Sequence, residues 1–98
     1  MIKNFLLIQP EYFSRLYNLY RKQKDDDKAL AILRRGIEHL PDNATFHKQL
    51  GDYYRKQGIL YRAIEEYRQA LLLNPKDASL QRRLDDLQKK GDTKSGNQ

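Results

Sequence analysis

The chain has 98 residues, a formal net charge of +6 from 19 Lys and Arg against 13 Asp and Glu, and no cysteine. This length allows one small domain rather than two, and a hydrophobic content of 39% indicates a folded chain rather than a disordered one. The lack of cysteine excludes disulfides, thiolate metal sites and cysteine nucleophiles, while the positive charge favours acidic partners in general.

An apolar segment, MIKNFLLIQ, occupies residues 1–9. Its longest apolar run, Phe5 to Ile8, is too short for the core of a signal peptide and far too short to span a bilayer. Three roles remain open for this segment: the end of a preceding structural unit, a flap over the flank of the first helix, and a self-association surface. The self-association surface would consist of Ile2, Phe5, Leu6 and Ile8.

Two helices are predicted next, over residues 11–23 and from residue 25 to Pro41. In the first, apolar and aromatic residues recur at helical spacing. The second begins with Asp25, Asp26 and Asp27, whose charges suit the exposed N–H groups of a helix start. Pro41 ends it because proline cannot donate the next helical hydrogen bond.

Three further helices follow. Asn43 is the predicted N-cap of the third, which ends at Gly58 because glycine adopts a left-handed conformation without cost. The fourth helix runs from about residue 59 to the stop at Pro75, and Asp77 caps a fifth. The fifth is apolar on one narrow face only, which is typical of the terminal element of a repeat array.

The chain also repeats itself with a period of 34 residues, as in 50 minus 16. In this period Leu16, Tyr20, Ala29 and Pro41 return as Leu50, Tyr54, Ala63 and Pro75. A fixed period of this size marks a solenoid, in which each repeated unit buries its apolar face against its neighbours.

The second copy closely resembles the tetratricopeptide repeat. The residues that carry the resemblance are Leu50, Gly51, Tyr54, Gly58, Ala63, Tyr67, Ala70 and Pro75. The resemblance implies an all-α fold, a right-handed α-α superhelix (solenoid) of two antiparallel helix hairpins at residues 10–43 and 44–77, with a C-terminal capping helix at 78–90. Residues 91–98 contain no hydrophobic residue and are predicted to be disordered.

The first copy departs from this pattern at three positions. Tyr17, Lys24 and Gly36 stand where the second copy has Gly51, Gly58 and Ala70. A tyrosine at a close helix crossing overpacks the site by about 1 to 3 kcal/mol unless a neighbour gives way. We therefore expect Gly36 to make room for Tyr17 across the hairpin.

The resemblance further implies a non-catalytic scaffold in which the first helix of each hairpin lines a concave groove for a peptide or a partner helix. Carried onto this sequence, the groove face selects Arg15, Asn18, Lys22, Lys48, Gln49, Asp52, Arg55, Arg82 and Arg83 as partner-binding residues. Because basic residues outnumber acidic ones in this set, we expect an acidic or polar peptide segment of a protein partner.

Alternatives to this interpretation are weaker or less specific. The chain is also consistent with a structural or oligomerisation segment of a larger solenoid. Nucleic-acid binding is disfavoured, since no basic and aromatic cluster or recognition helix accompanies the bulk charge. His39 and His47 are the sole histidines and form no metal-ligand pattern, so no catalytic residue, metal or cofactor is predicted. We expect a soluble protein, in the cytoplasm rather than the periplasm.

Overall fold

A computed structural model describes the backbone of residues 9–96 and the side chains of residues 9–90. Within that range the chain forms five helices, which are α1 Pro10–Lys22, α2 Asp26–His39, α3 Ala44–Lys56, α4 Leu60–Leu73 and α5 Ala78–Gly96. Each helix packs against the next one along the chain. The predicted all-α helical repeat is therefore confirmed. The apolar segment up to residue 8, with Ile2, Phe5, Leu6 and Ile8, lies outside the described residues.

Short polar caps start the helices where the sequence predicts them. Asn43 Oδ1 accepts a hydrogen bond from the Phe46 N–H at 3.2 Å, and Asp77 Oδ1 accepts one from the Leu80 N–H at 3.0 Å. Asp25 caps α2 in the same way. Because each cap satisfies a backbone donor that the helix itself leaves open, it contributes about 1 kcal/mol.

The last helix is longer than the sequence predicts. The backbone of α5 continues to Gly96, whereas the prediction ends the helix at residue 90 and assigns disorder to 91–98. No proline interrupts residues 78–96, and extending an existing helix is far easier than starting one. Composition alone therefore underestimates the helical length here.

One apolar core runs through the stack from Phe13 in α1 to Leu87 in α5. Its largest fully buried side chains are Tyr67, Phe46, Leu33 and Leu80. Hydrogen bonds between side chains on α1 and α3 and between side chains on α3 and α5 place these three helices side by side. The exposed edges of α1, α3 and α5 therefore share one surface.

The two hairpins fill the same packing layer differently. A Cβ atom on Gly51 would lie 2.6 Å from two ring carbons of Tyr67, so the absence of a side chain at residue 51 admits that ring. In the first hairpin the period places Tyr17 at the position of Gly51 and Leu33 at the position of Tyr67. The large and small residues have therefore exchanged helices.

The expectation that Gly36 makes room for Tyr17 is wrong. A Cβ atom on Gly36 would lie 3.1 Å from Phe46 Cε2 and 3.2 Å from the Cβ and Cγ atoms of Phe13. Gly36 therefore accommodates the two phenylalanines. The smaller residue opposite Tyr17 in the repeat register is Leu33, which the sequence pattern alone did not single out.

The turns between paired helices are alike in shape and unlike in composition. Lys24 has a φ of 60° and Gly58, its counterpart, a φ of +81°. The left-handed conformation costs a residue with a Cβ atom about 1 to 2 kcal/mol, a cost that glycine avoids. The first hairpin therefore carries local strain that the second does not.

Candidate functional site

Two adjoining clefts form the surface shared by α1, α3 and α5, and together they are called the groove here. The α1/α3 cleft has a volume of about 510 Å³ and is lined by Tyr17, Asn18, Arg21, Lys22, Gln49 and Asp52. The α3/α5 cleft has a volume of about 270 Å³ and is lined by Ala44, Thr45, Lys48, Gln49, Asp52, Asn74, Asp77 and Leu80. Since Gln49 and Asp52 line both clefts, the two are continuous.

Contacts between α1 and α3 centre on Tyr17. Its hydroxyl donates to the backbone carbonyl of Gln49 at 3.3 Å and accepts from Arg21 Nη1 at 2.6 Å. The Arg21 guanidinium lies 5.6 Å from the centre of the Tyr17 ring. Burial raises the pKa of the Tyr17 hydroxyl above its ordinary value of 10.0, although Arg21 opposes the shift. The phenol therefore stays protonated at neutral pH and keeps donating to α3.

Asp52 is the corresponding centre between α3 and α5. Its carboxylate accepts a short hydrogen bond from the Tyr67 hydroxyl, and Arg83 Nη1 donates to its two oxygens at 2.9 and 3.0 Å. Arg55 Nη2 lies 3.9 Å from the same group. Burial, then Asp52, raises the pKa of Tyr67. Burial lowers the pKa of Arg83, but the charge of Asp52, the hydrogen bonds to it and a contribution from Tyr67 together raise that pKa above its ordinary value. Arg83 therefore ties α5 to α3.

The sequence model of the family described as "Tetratricopeptide repeat" matches residues 44–77, the hairpin of α3 and α4. The chain contains a tetratricopeptide repeat. Such repeats generally mediate protein–protein interaction and are generally non-catalytic.

Two human proteins are similar to parts of the chain. Interferon-induced protein with tetratricopeptide repeats 2 from Homo sapiens is 42% identical over 36 residues, which cover 37% of this chain and 8% of that protein. Protein O-mannosyl-transferase TMTC1 from Homo sapiens is 33% identical over 72 residues, which cover 69% of this chain and 8% of that protein. The chain thus matches less than a tenth of the length of each relative.

The predicted groove residues of the tetratricopeptide segment and its neighbours divide into two groups. Asn18, Lys22, Lys48, Gln49 and Asp52 line the clefts, and Arg55 and Arg83 reach the carboxylate of Asp52. Arg15 and Arg82 are exposed and line neither cleft.

Pairing within the groove changes its charge pattern. Lys48 Nζ lies 3.9 Å from Asp77 Oδ2, and Arg55 and Arg83 share Asp52. Among the residues whose side chains are described, neither Arg21 nor Lys22 has an acidic side chain within 4.0 Å. The positive charge available to a ligand therefore lies mainly on α1.

Sequence reasoning missed Tyr17 and Arg21 as site residues. It assigned Tyr17 to the helix crossing, where it does lie, since 3% of the residue is exposed. The overlooked signal was the spacing of four residues between Tyr17 and Arg21, which places the two side chains on one helix face. The sequence signal for this part of the groove is therefore a residue that departs from the repeat pattern, Tyr17, followed one helical turn later by a cation, Arg21.

Across residues 9–90 no three His, Asp or Glu side chains converge as metal ligands would. None of the helices α1 to α5 is both long and apolar enough to cross a membrane.

Proposed function

We propose that the chain is a non-catalytic interaction module whose groove binds an acidic peptide segment of a protein partner. The observation that carries this proposal is the continuity of the two clefts through Gln49 and Asp52, with cations that have no acidic partner among the described residues on the α1 side. An extended peptide can therefore contact three helices at once.

Electrostatics supports an acidic ligand. The chain has an excess of six positive charges, and the α1/α3 cleft carries Arg21 and Lys22 against one acid, Asp52. An excess of one sign of charge raises the local concentration of ligands of the other sign. Charge-assisted hydrogen bonds contribute about 1.5 to 3 kcal/mol each where they are partly shielded from water.

Calorimetric titration with two matched peptides tests the proposal. One extended peptide carries glutamates, and the other has glutamine at the same positions. We expect the glutamate peptide to bind at least about tenfold more tightly, since one charge-assisted contact is worth that much. Equal affinity for the two peptides would rule out recognition of acidic side chains.

Paired variants locate the binding surface. Neutralising the groove with Lys22→Gln and Lys48→Gln should weaken the glutamate peptide, because each of these residues lines one of the two clefts. The control pair, Arg34→Gln and Arg35→Gln, removes the same charge from exposed positions on α2, which lines neither cleft. If both pairs reduce affinity equally, bulk charge rather than the groove attracts the peptide.

Salt dependence distinguishes a peptide from a nucleic acid. A binder that neutralises six or more phosphates loses about a thousandfold or more in affinity between 50 and 200 mM salt. We expect a much smaller loss for the glutamate peptide, and weaker binding of single-stranded RNA than of the peptide at 200 mM salt.

We also infer a second role, as a segment of a larger helical array. Tyr12 and Leu19 are 43% and 47% exposed on α1, although their counterparts one period later, Phe46 and Tyr53, are buried and half-buried where α3 packs against α2. An apolar face of this kind is the surface against which repeat arrays stack.

Sedimentation of the full chain over a range of concentrations tests that role. If the exposed α1 face mediates assembly, the full chain self-associates as concentration rises and the Tyr12→Ser/Leu19→Ser variant does not. A full chain that stays monomeric at every concentration would argue against self-assembly through this face.

A further inference from the structure

We propose that the α1/α3 cleft is the subsite for a carboxylate side chain, Asp or Glu, of the bound peptide, and that Arg21 is the residue that contacts it. Lys22 supplies a second positive charge at the same cleft. This inference rests on the proposed function and names the part of the groove, and the chemical group, that give it specificity.

Arg21 is held in place before any ligand arrives. Its Nη1 donates to the Tyr17 hydroxyl at 2.6 Å, and its guanidinium lies 5.6 Å from the centre of the Tyr17 ring. Tyr17 is in turn fixed by burial and by its hydrogen bond to the Gln49 carbonyl. A contact residue that is already ordered loses little side-chain entropy on binding, which favours affinity.

The guanidinium also has donors left over. Arginine has five N–H groups, and within the described residues the one recorded hydrogen bond of the Arg21 side chain goes from Nη1 to Tyr17. Its Nε is shielded from solvent and has no hydrogen-bond partner among those residues. A ligand cannot reach the shielded Nε, but the N–H groups of Nη2 and the second N–H of Nη1 have no partner in the described part of the chain, and this end-on pair matches the two oxygens of a carboxylate.

The cations at the α3/α5 cleft are already paired. Arg83 and Arg55 lie against Asp52, and Lys48 lies 3.9 Å from Asp77. A carboxylate entering the α3/α5 cleft would compete with these internal acids. In the α1/α3 cleft the two cations Arg21 and Lys22 have no such competitor among the described residues.

The charge of the α1/α3 cleft favours a ligand group with one negative charge over a group with two. Asp52 forms part of the wall of the α1/α3 cleft, although Arg83 and Tyr67 engage its oxygens. A phosphorylated side chain carries about −1.5 to −2 charges at neutral pH, so Asp52 repels it more strongly than it repels Asp or Glu. We therefore assign the subsite to a carboxylate rather than to a phosphate.

Titration of the full chain with the glutamate peptide, its glutamine counterpart and a phosphoserine counterpart tests the assignment. Arg21→Gln should weaken the glutamate peptide at least about tenfold and leave the glutamine peptide unchanged, since only a charged contact is lost. Arg21→Lys should recover part of the affinity, because it keeps the charge and loses the end-on pair of donors. Arg35→Gln, an exposed change on α2, should leave all three affinities unchanged.

Lys22→Gln covers the case in which the Arg21 variants fail to fold, because Lys22 is exposed and has no packing role; we expect it to weaken the glutamate peptide several-fold. Wild-type affinity in folded Arg21→Gln, or in Lys22→Gln where that variant alone folds, would overturn the subsite. Tighter binding of the phosphoserine peptide would overturn its assignment to a carboxylate. A separate result would contradict the proposed function itself, namely equal affinity of the wild-type chain for the glutamate and glutamine peptides.

Discussion

The first and second hairpins build the same packing layer from opposite helices. In the second, Gly51 on α3 admits the ring of Tyr67 from α4. In the first, the ring belongs to Tyr17 on α1, and Leu33 on α2 is the smaller partner in register. Either helix can thus supply the aromatic residue of this layer, although the pair Tyr17 and Leu33 is larger than the pair Gly51 and Tyr67 by the side chain of a leucine.

The exchange nevertheless changes what the hydroxyl group can reach. From α4, the Tyr67 hydroxyl donates to Asp52, and Asp52 in turn holds Arg83 of α5. From α1, the Tyr17 hydroxyl donates to Gln49 and accepts from Arg21 at the groove. The regular repeat therefore uses its tyrosine to join helices, and the divergent one also uses it to position a cation.

Removing the Tyr17 ring should have the largest effect on the stability of the first hairpin. We expect Tyr17→Gly to lower the free energy of unfolding by about 4 to 6 kcal/mol, since truncating a buried aromatic residue costs about 3 to 5 kcal/mol and glycine weakens the helix by about 1 more. Urea denaturation measures the loss. Leu72→Ala is the control, because Leu72 is 76% exposed and its truncation should change stability by less than about 0.5 kcal/mol.

A loss below about 1 kcal/mol for Tyr17→Gly would mean that Tyr17 is not the large member of its layer. The exchange between the two hairpins would then be an incorrect description of the core.

The two helical glycines provide the next test. Gly51→Ala places a methyl group 2.6 Å from the fully buried Tyr67 ring, so overpacking of about 1 to 3 kcal/mol should exceed the gain of about 1 kcal/mol in helix propensity. Gly36→Ala brings contacts of 3.1 and 3.2 Å, which small shifts relieve, and should stay within about 1 kcal/mol of the wild type. Thermal unfolding of the two variants side by side compares them, and equal losses would contradict the packing difference between the hairpins.

The smallest expected effect lies in the turns. Lys24→Gly should stabilise the chain by up to about 1 kcal/mol. Glycine relieves the strain of the left-handed backbone at residue 24, about 1 to 2 kcal/mol, but it also lowers the free energy of the unfolded chain by about 0.4 to 1 kcal/mol. Gly58→Ala should destabilise by a similar amount, and paired denaturation curves measure both. A loss of stability in Lys24→Gly would show that Lys24 contributes something beyond its backbone shape.

Much of the fold follows from the sequence. The 34-residue period, the caps Asn43 and Asp77 and the breaks at Pro41 and Pro75 specify the helices and their order, since each acts through local backbone chemistry. The end of α5 did not follow, because the residues after Lys90 lack both an apolar stripe and a stop signal.

The site follows from the sequence only in outline. The repeat register selects the helix faces that line the groove, and Lys22, Lys48, Gln49 and Asp52 lie there. It did not indicate that Asp52 would bind Arg83, or that Tyr17 would hold Arg21, because such pairs depend on side-chain reach across helices. The repeat register predicts least about the contacts of residues that depart from the family pattern, such as Tyr17.

The exchange variant Tyr17→Gly/Leu33→Tyr gives the most direct test, because it rebuilds the second hairpin's arrangement in the first. We expect its loss of stability to be clearly smaller than the sum of the losses of the two single variants, because the new tyrosine from α2 refills part of the space that the Tyr17 ring leaves. The affinity for the glutamate peptide should fall about tenfold, because Arg21 has lost the phenol that holds it. Calorimetric titration of the folded variant is the decisive measurement. Wild-type affinity would contradict the role of Tyr17 in the groove, and a stability loss equal to the sum of the two single variants would contradict the exchange itself.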